Sequence, residues 1–536
     1  MADMVLTESF WAADTSEPIV ETTVGGLLRD VAAAVGDRTA LVSGVPGESP
    51  RRRWTYAELL ADAERCARAL LEWFSPGDRV AIWAPNLPEW VVLEMGAALA
   101  GVVLVTVNPA YRPSELAYVL DQSGASGIFL TREFRGNPMR ASLEEVLPDV
   151  PGLEHWVVLG EDWDVFMGMG APDTGAGLPD VSPDDIAQIQ YTSGTTGFPK
   201  GARLRHRGIV NNARLCAQRF EVRDGDVWIN PMPLFHTGGC VLGALGSVWA
   251  RATHIPILLF DPAMVLELLE TERGDVMGGV PTMLIALMEH PDFRTRDLSS
   301  LRSVLSGGST VPADLVRRIE STLGVRFGIV YGQTESSPVI TQTRLDDSPD
   351  DKALTIGQPL PQTEVKIVDA STGDVVPVGV VGELCTRGYL VMEGYNDNPV
   401  ATAEAIDADG WLHTGDLCSM DERGYCTVEG RLKDMIIRGG ENLYPREIEE
   451  LLFTHPSVAD VAVVGIPDDR WGEVVGAFVR RSAEVTEAEL RSFVRERLAP
   501  QKAPERWWFV EEFPLTPSGK VQKFVLRERA VKGELD

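Results

Sequence analysis

Eleven consecutive residues, Tyr191-Thr192-Ser193-Gly194-Thr195-Thr196-Gly197-Phe198-Pro199-Lys200-Gly201, gather glycines, Ser/Thr hydroxyls and a lysine. Such a loop can turn backbone N–H groups and hydroxyls toward one point, and Lys200 adds a positive charge, which is the chemistry of phosphate binding. The run Ile186 to Tyr191 before it reads as a strand, and a helical stretch begins near His206, so the expected setting is strand, loop, helix. Taken alone, the string could also be an ordinary surface loop. It does not follow the Walker A pattern: the glycines are spaced differently and Lys200 is followed by Gly201 instead of Ser or Thr, which removes kinase and GTPase readings.

Four more segments follow in order. They are Tyr331-Gly332-Gln333-Thr334-Glu335; Trp411-Leu412-His413-Thr414-Gly415-Asp416; Gly430-Arg431-Leu432-Lys433-Asp434 running into Arg438-Gly439-Gly440-Glu441-Asn442; and Pro514-Leu515-Thr516-Pro517-Ser518-Gly519-Lys520. With all five in register, the chain resembles the adenylate-forming superfamily of acyl-CoA synthetases, nonribosomal-peptide adenylation domains and beetle luciferases, acyl-CoA synthetases most closely, over nearly its whole length. The resemblance implies an ATP- and Mg²⁺-dependent acid–thiol ligase that joins a carboxylic acid to coenzyme A, with a carrier protein as the alternative acceptor and retention of a single half-reaction as another outcome. It also implies a large N-terminal domain, 1–432, binding ATP and the acid, and a small mobile domain, 433–536, hinged at Lys433.

The chemistry can be stated independently of the resemblance. A carboxylate does not react with a thiol, because oxide is a very poor leaving group, so one oxygen must first be joined to something that departs easily. AMP serves: the acid attacks the α-phosphate of ATP and releases pyrophosphate, and a thiol then attacks the acyl-adenylate and releases AMP. Both partners of the first step are anions, so the site must supply cations and N–H dipoles where charge accumulates.

The resemblance assigns residues to these tasks. Thr192, Ser193, Gly194, Thr195, Thr196, Gly197 and Lys200 would cradle the phosphates. Tyr331, next to Gly332, would lie against adenine, Thr334 would hydrogen-bond the α-phosphate, and Glu335 would hold Mg²⁺, an ion that prefers oxygen ligands. Gly307 and Gly308, in Ser306-Gly307-Gly308-Ser309, fit the loop between adenine and acyl sites. Asp416 and Arg431 would hold the ribose; a structural ion pair is their alternative. Lys520 would be the cation shared by carboxylate and α-phosphate, and otherwise an exposed lysine. Rotation at Lys433 would bring in Gly439 and Gly440, whose missing side chains let a pantetheine arm approach; the plain alternative is a static linker with a glycine turn.

His236, in Pro233-Leu234-Phe235-His236-Thr237-Gly238-Gly239, matches a family position beside the acyl carboxylate; a satisfied core residue is the alternative for a lone histidine in an apolar run. Gly238, Gly239, Gly243, Ala244 and Gly246 leave little side-chain volume, which means either a roomy apolar pocket for a medium-chain, long-chain or bulky acid, or close helix packing. No charged residue stands out near His236 to meet a substrate amino group, which disfavours amino acids.

These residues need a scaffold, and the composition provides for one. The chain has 536 residues, 44% of them apolar, and a mean hydropathy of −0.03, enough for three or four units at about 150 residues each. A net charge of −30 argues against a broad nucleic-acid or anionic-membrane surface. Six cysteines without a CxxC pair fit neither a disulfide framework nor a zinc site, and with no secretory pattern in the first twenty residues the expected setting is cytoplasmic. The most apolar stretch, Ala97 to Val107, is too short to span a membrane and reads as buried helix and strand. Helix at Tyr56 to Glu72, strand at Arg79 to Trp83, helix at Trp90 to Ala100 and strand at Val102 to Thr106 alternate as βα units do in a parallel sheet. From Thr355 to Gly430 short runs such as Glu364 to Asp369 and Glu383 to Thr386 suit a barrel-like antiparallel subdomain. The rest reads α+β: a helix from Pro445, strands at Val458 to Ile466 and Val474 to Arg480, a helix capped by Thr486 with Glu489, and a strand at Trp507 to Val510. The fold class expected is α/β, with that barrel-like subdomain and a small mobile α+β C-terminal domain.

Overall fold

Thr55 opens the helix Tyr56–Leu71 by accepting the N–H of Glu58, while the Glu58 carboxylate accepts that of Thr55. The same reciprocal cap at Thr486 and Glu489 starts the helix Glu487–Arg495, as its sequence spacing predicts. The helix Pro88–Ala100 is buried almost all round and stops at Gly101, whose left-handed φ of 69° only glycine adopts without cost. With the strand Val103–Thr106 it accounts for the apolar stretch at Ala97 to Val107. The structure, a computed structural model, describes residues 5–170, 177–192, 199–307, 311, 313–439, 441–468, 470–515 and 521–534.

The chain divides into two compact units, fewer than its length alone predicts. The larger takes Trp11–Val365 and Thr386–His413; the smaller takes Met1–Phe10, Lys366–Cys385 and Thr414–Asp536. The division passes through the strands Thr363–Val368, Gly382–Gly388 and Leu412–Met420, in the stretch read as barrel-like, and groups residues 414–431 with those after 433.

Two sheets organise the larger unit. The seven-stranded one runs Gly394–Tyr395, Lys200–Arg205, Ile186–Thr192, Val103–Thr106, Arg79–Trp83, Gly127–Leu130, His155–Val158. From Ile186–Thr192 to His155–Val158 it is parallel; the first two strands are antiparallel additions. The nine-stranded sheet has a parallel centre, in which Thr253–Pro256, Val227–Asn230, Val276–Gly278, Ser303–Gly307 and Arg326–Gly332 lie side by side. Strands buried on both faces read as continuous apolar runs, and Val80, Ala81, Ile82 and Trp83 are all fully buried. In open α/β sheets ligands sit beyond the carboxyl ends of parallel strands. Thr192, Gly307, Tyr331 and Gly332 all stand at such ends, and Asn230 ends the strand that leads to His236.

In the smaller unit, a sheet ordered Glu441–Leu443, Ile436–Arg438, Gly472–Arg481, Val458–Asp468, with Arg506–Phe509 joining Gly472–Arg481, packs with the helices Pro445–Phe453, Glu487–Arg495 and Lys523–Lys532. This is the α+β pattern expected of the carboxy-terminal sequence. Among the described residues no helix is long and apolar enough to cross a membrane, and all six cysteines are buried thiols.

Candidate functional site

The phosphate-loop sequence sits on a hairpin. Lys200–Arg205 returns antiparallel to Ile186–Thr192, with Thr192 opposite Lys200 as the last pair, and the helix His206–Arg219 starts only after it. The expected strand–loop–helix order is therefore corrected: a strand intervenes, because Gly201, Ala202 and Leu204 are buried while Arg203 and Arg205 are half-exposed, the alternation of a strand with one buried face. The hairpin leaves Thr192 and Lys200 to brace the loop, and Tyr118 Oη donates to the carbonyl of Pro199 at 3.0 Å. Ser193, Gly194, Thr195, Thr196 and Gly197 lie outside the described residues, as do Gly308, Gly440 and Lys520.

Tyr331 and Gly332 end a strand that hairpins onto Val339–Gln342. A Cβ on Gly332 would fall 1.9 Å from the Pro338 carbonyl oxygen, so only glycine allows the return strand this close. In the turn between, Ser336 Oγ donates to the Pro338 carbonyl at 2.6 Å and accepts the Gln333 N–H at 3.1 Å, leaving Thr334 and Glu335 in a buried single 3₁₀ turn. The turn is anchored from the helix His206–Arg219 by Asn212, whose amide both donates to and accepts from the Val339 backbone.

Glu335 meets Lys200 through a residue that sequence reasoning missed. Tyr395 Oη donates to Glu335 Oε1 at 2.7 Å, and the Lys200 ammonium stands 5.0 Å from the centre of the Tyr395 ring. Burial, and then the adjacent carboxylate, push the Tyr395 phenol well above its usual pKa, so it stays a donor. Its signal in the sequence was weak: Gly394-Tyr395-Asn396 is a short string without charge. The structure thus brings Thr192, Lys200, Thr334 and Glu335 into one neighbourhood, with Gly307 on the strand beside Tyr331. Mg²⁺ fits Glu335: it is a buried hard-oxygen donor with Oε1 already oriented and, among the described residues, nothing bound at Oε2.

His236 is not a core residue: its side chain is exposed, and its Nδ1 accepts the N–H of Gly238 at 3.3 Å. Two buried amides hold its loop. Asn86 donates to the Met232 carbonyl at 2.9 Å and accepts the Leu234 N–H at 2.7 Å; Asn230 accepts the Met232 N–H at 3.1 Å and donates to the Gly239 carbonyl at 3.2 Å. Neither was singled out from the sequence, because isolated asparagines carry no pattern. The segment Gly238–Leu245 is a π-helix, a form that recurs at functional sites. Its glycines decide the question left open by the sequence. A Cβ on Gly239 would lie 2.2 Å from the Pro233 carbonyl oxygen, and one on Gly243 2.2 Å from the Asn230 amide. Those two positions serve close packing, not an enlarged pocket.

A buried polar chain joins this helix to the strand carrying the hairpin. Gln188 Nε2 donates to Glu94 Oε1 at 2.7 Å, Gln190 Nε2 donates to Gln188 Oε1 at 2.8 Å and to Cys240 Sγ at 3.1 Å, and Cys240 Sγ donates to the His236 carbonyl at 3.4 Å. Burial pushes the Glu94 carboxyl up to about 8. Between the ordinary carboxylate value of 4.5 and about 8, the unfolded chain releases this proton while the folded chain keeps it, so stability falls as pH rises, by roughly 1.4 kcal/mol per unit. Glu94→Gln, which keeps the acceptor for Gln188, is expected to melt like the parent near pH 5 and above it at pH 8; an equal difference at both values would reject the shift.

In the smaller unit, Asp416 and Arg431 face each other across antiparallel strands, with Nε and Oδ1 2.8 Å apart. Asp416 is buried and Arg431 half-exposed at its side chain, so the pair forms one fixed unit. Thr414 Oγ1 accepts the Asp416 N–H at 3.1 Å, and Glu383 Oε1 accepts that of Gly415 at 3.0 Å. Lys433 is exposed, in the single turn Leu432–Asp434. Gly439 has a φ of +61°, donates its N–H to the Trp471 carbonyl at 2.8 Å, and would place a Cβ 2.9 Å from the Trp471 ring. That ring is flanked by Arg438 and Arg470, at 5.2 and 4.9 Å from its centre.

Residues 28–396 match the profile of the AMP-binding enzymes, and 447–520 that of the AMP-binding enzyme C-terminal domain. The chain is 42% identical to a Bacillus subtilis (strain 168) protein, YngI, provisionally named an acyl-CoA synthetase, over 96% of this chain and 98% of the other. It is 38% identical to the mitochondrial medium-chain acyl-CoA ligase ACSF2 of Rattus norvegicus, over 97% and 89%. Among solved structures, the anthranilate CoA ligase AuaEII in complex with anthranoyl-AMP superposes with a TM-score of 0.86 at 26% identity, covering 97% of this chain and 99% of that one.

Proposed function

We propose, for a chain that belongs to the AMP-binding enzyme family and is an acyl-CoA ligase using ATP and CoA, that it activates a hydrophobic acid, medium- or long-chain or bulky, through an acyl-adenylate. The observation that carries the adenylate is the arrangement at the hairpin mouth: an ammonium from Lys200 and a carboxylate from Glu335, both held on Tyr395 and neither paired with the other. A cation for phosphate and an oxygen ligand for a metal, kept apart, suit a nucleotide better than they suit each other. The hydrophobic acid rests on the names of the rat relative and of AuaEII, one medium-chain and one aryl, and on the apolar sequence around His236. The packing of Gly239 and Gly243 adds nothing to it.

The steps then follow from the residues. One carboxylate oxygen of the acid attacks the α-phosphate; the bond to pyrophosphate breaks, and Lys200, the hairpin N–H groups and Thr334 meet the charge that develops. Glu335 would hold Mg²⁺, which when bound neutralises phosphate charge. Asp416, steadied by Arg431, accepts the ribose hydroxyls, Tyr331 lies against adenine, and Lys520 bridges the two anions. A turn of the backbone at Lys433 exchanges Lys520 for Gly439 and Gly440, and the CoA thiol attacks the acyl carbon to release AMP. The setting we propose is cytoplasmic, in keeping with buried cysteines. Incubation with ATP, Mg²⁺, CoA and panels of fatty, aryl and polycyclic acids, reading AMP and CoA thioester in parallel, is expected to give both products in equal amounts for the fatty or aryl acids. Pyrophosphate and acyl-adenylate without thioester or matching AMP would mean a carrier-protein acceptor or a single half-reaction, and turnover of α-amino acids alone would reject the substrate class.

A further inference from the structure

Tyr395 is 9% exposed and placed with unusual care. Its strand, Gly394–Tyr395, pairs antiparallel with the hairpin strand, Tyr395 opposite Ala202. The next N–H, of Asn396, donates to the Gly201 carbonyl at 2.7 Å, and the N–H of Met392 donates to the Glu335 carbonyl at 2.9 Å. The Tyr395 N–H itself donates to Thr402 Oγ1 at 2.9 Å. Five residues thus lace the backbone beside Lys200 to the backbone of Glu335, with the phenol in contact with both side chains.

The two charged groups do not join. Among the described residues neither Lys200 nor Glu335 has an ion-pair partner, although opposite charges held on one side chain in a half-buried setting attract. Each contacts Tyr395 instead, Glu335 at the hydroxyl and Lys200 at the ring. A lysine and a glutamate in direct contact would neutralise each other and spend the hydrogen bonds that a phosphate and a metal need. With both groups on the phenol, Glu335 uses only Oε1, and the contact of Lys200 with the ring spends no acceptor on its ammonium, so Oε2 and the ammonium remain available to ligands.

We propose that Tyr395 is a positioning residue that keeps the acid and the base of this site apart while aiming both, its hydroxyl orienting Glu335 toward a divalent cation and its ring holding Lys200 toward phosphate. The proposal rests on the nucleotide and metal roles given to Lys200 and Glu335 above.

Two substitutions separate the halves. Tyr395→Phe removes the hydroxyl and keeps the ring; Tyr395→Leu removes both. The probes are Mn²⁺, titrated by electron paramagnetic resonance into the full-length protein with ATP, and ATP alone in EDTA, titrated calorimetrically. Tyr395→Phe is expected to weaken Mn²⁺ about tenfold, the loss of one hydrogen bond to a charged group, and to leave metal-free ATP binding unchanged. Tyr395→Leu is expected to weaken both. A merely structural tyrosine would not split the two readouts. Glu335→Gln distinguishes the failures: weakened Mn²⁺ in Glu335→Gln with parental Mn²⁺ in Tyr395→Phe overturns the proposal alone, and parental Mn²⁺ in Glu335→Gln overturns the metal reading and the proposal with it. Equal loss of Mn²⁺ and metal-free ATP in Tyr395→Phe also overturns it. Should Tyr395→Leu not fold, Tyr395→Phe decides by itself.

Discussion

Lys520→Ala is expected to slow adenylate formation about 10²- to 10³-fold while the variant still converts a supplied acyl-adenylate and CoA to thioester at the parental rate. The asymmetry follows from charge. In the first half-reaction a carboxylate must approach a phosphate that already carries negative charge, and a preorganised cation between them lowers the barrier by roughly 2.7 to 4 kcal/mol. In the second, an adenylate with a neutral acyl carbon meets a thiol, and nothing on that path needs the same cation. Pyrophosphate release and adenylate consumption, assayed separately on a variant shown by circular dichroism to be folded, check this. Equal loss of both would remove Lys520 from the role.

The second large effect runs the other way. Gly439→Leu is expected to cut thioester formation at least tenfold and to leave pyrophosphate release from ATP and acid intact. Gly439 sits at φ +61°, where an L-residue costs roughly 1–2 kcal/mol, and its new Cβ would meet the Trp471 ring at 2.9 Å. Since about 1.4 kcal/mol is a tenfold change in rate, backbone strain alone reaches that factor if the loop must keep this shape for the thiol to arrive. Moving the ring would give up its contacts with Arg438 and Arg470. Unchanged thioester formation, or an equal fall in both half-reactions, would contradict the assignment. Together the two variants should divide the reaction at the adenylate.

How much of this was legible beforehand depended on whether a feature is local. The helix Glu487–Arg495 announces itself through the cap of Thr486 and Glu489, the helix Tyr56–Leu71 through its place in the βα alternation, and the strands Arg79–Trp83 and Val103–Thr106 through short apolar runs. The hairpin was misread because Lys200 to Arg205 contains three cations, which hide a strand whose buried face is only Gly201, Ala202 and Leu204. For His236 the exposed side chain removes the core alternative that its apolar neighbourhood in sequence left open, while Leu234 and Thr237 beside it turn inward. For Gly239 and Gly243 the sequence offered two readings and no means of choosing, since the atoms that fill the space belong to Pro233 and Asn230. Tyr395, Asn86 and Gln190 act through partners 60, 146 and 50 residues away, and no spacing rule reaches that far. The Asp416–Arg431 pair was foreseen as an alternative to ribose binding, and its 2.8 Å contact shows that the pair exists.

The measurement that reaches furthest follows one oxygen atom. An acid carrying ¹⁸O in its carboxyl group, turned over with ATP and CoA, should pass a single ¹⁸O into the phosphate of AMP and none into pyrophosphate, because the acid's oxygen bonds to the α-phosphorus and stays with it when the thiol takes the acyl group. AMP without label, or label in pyrophosphate or inorganic phosphate, would mean that the acid is activated at another phosphorus, and the acyl-adenylate route would be wrong.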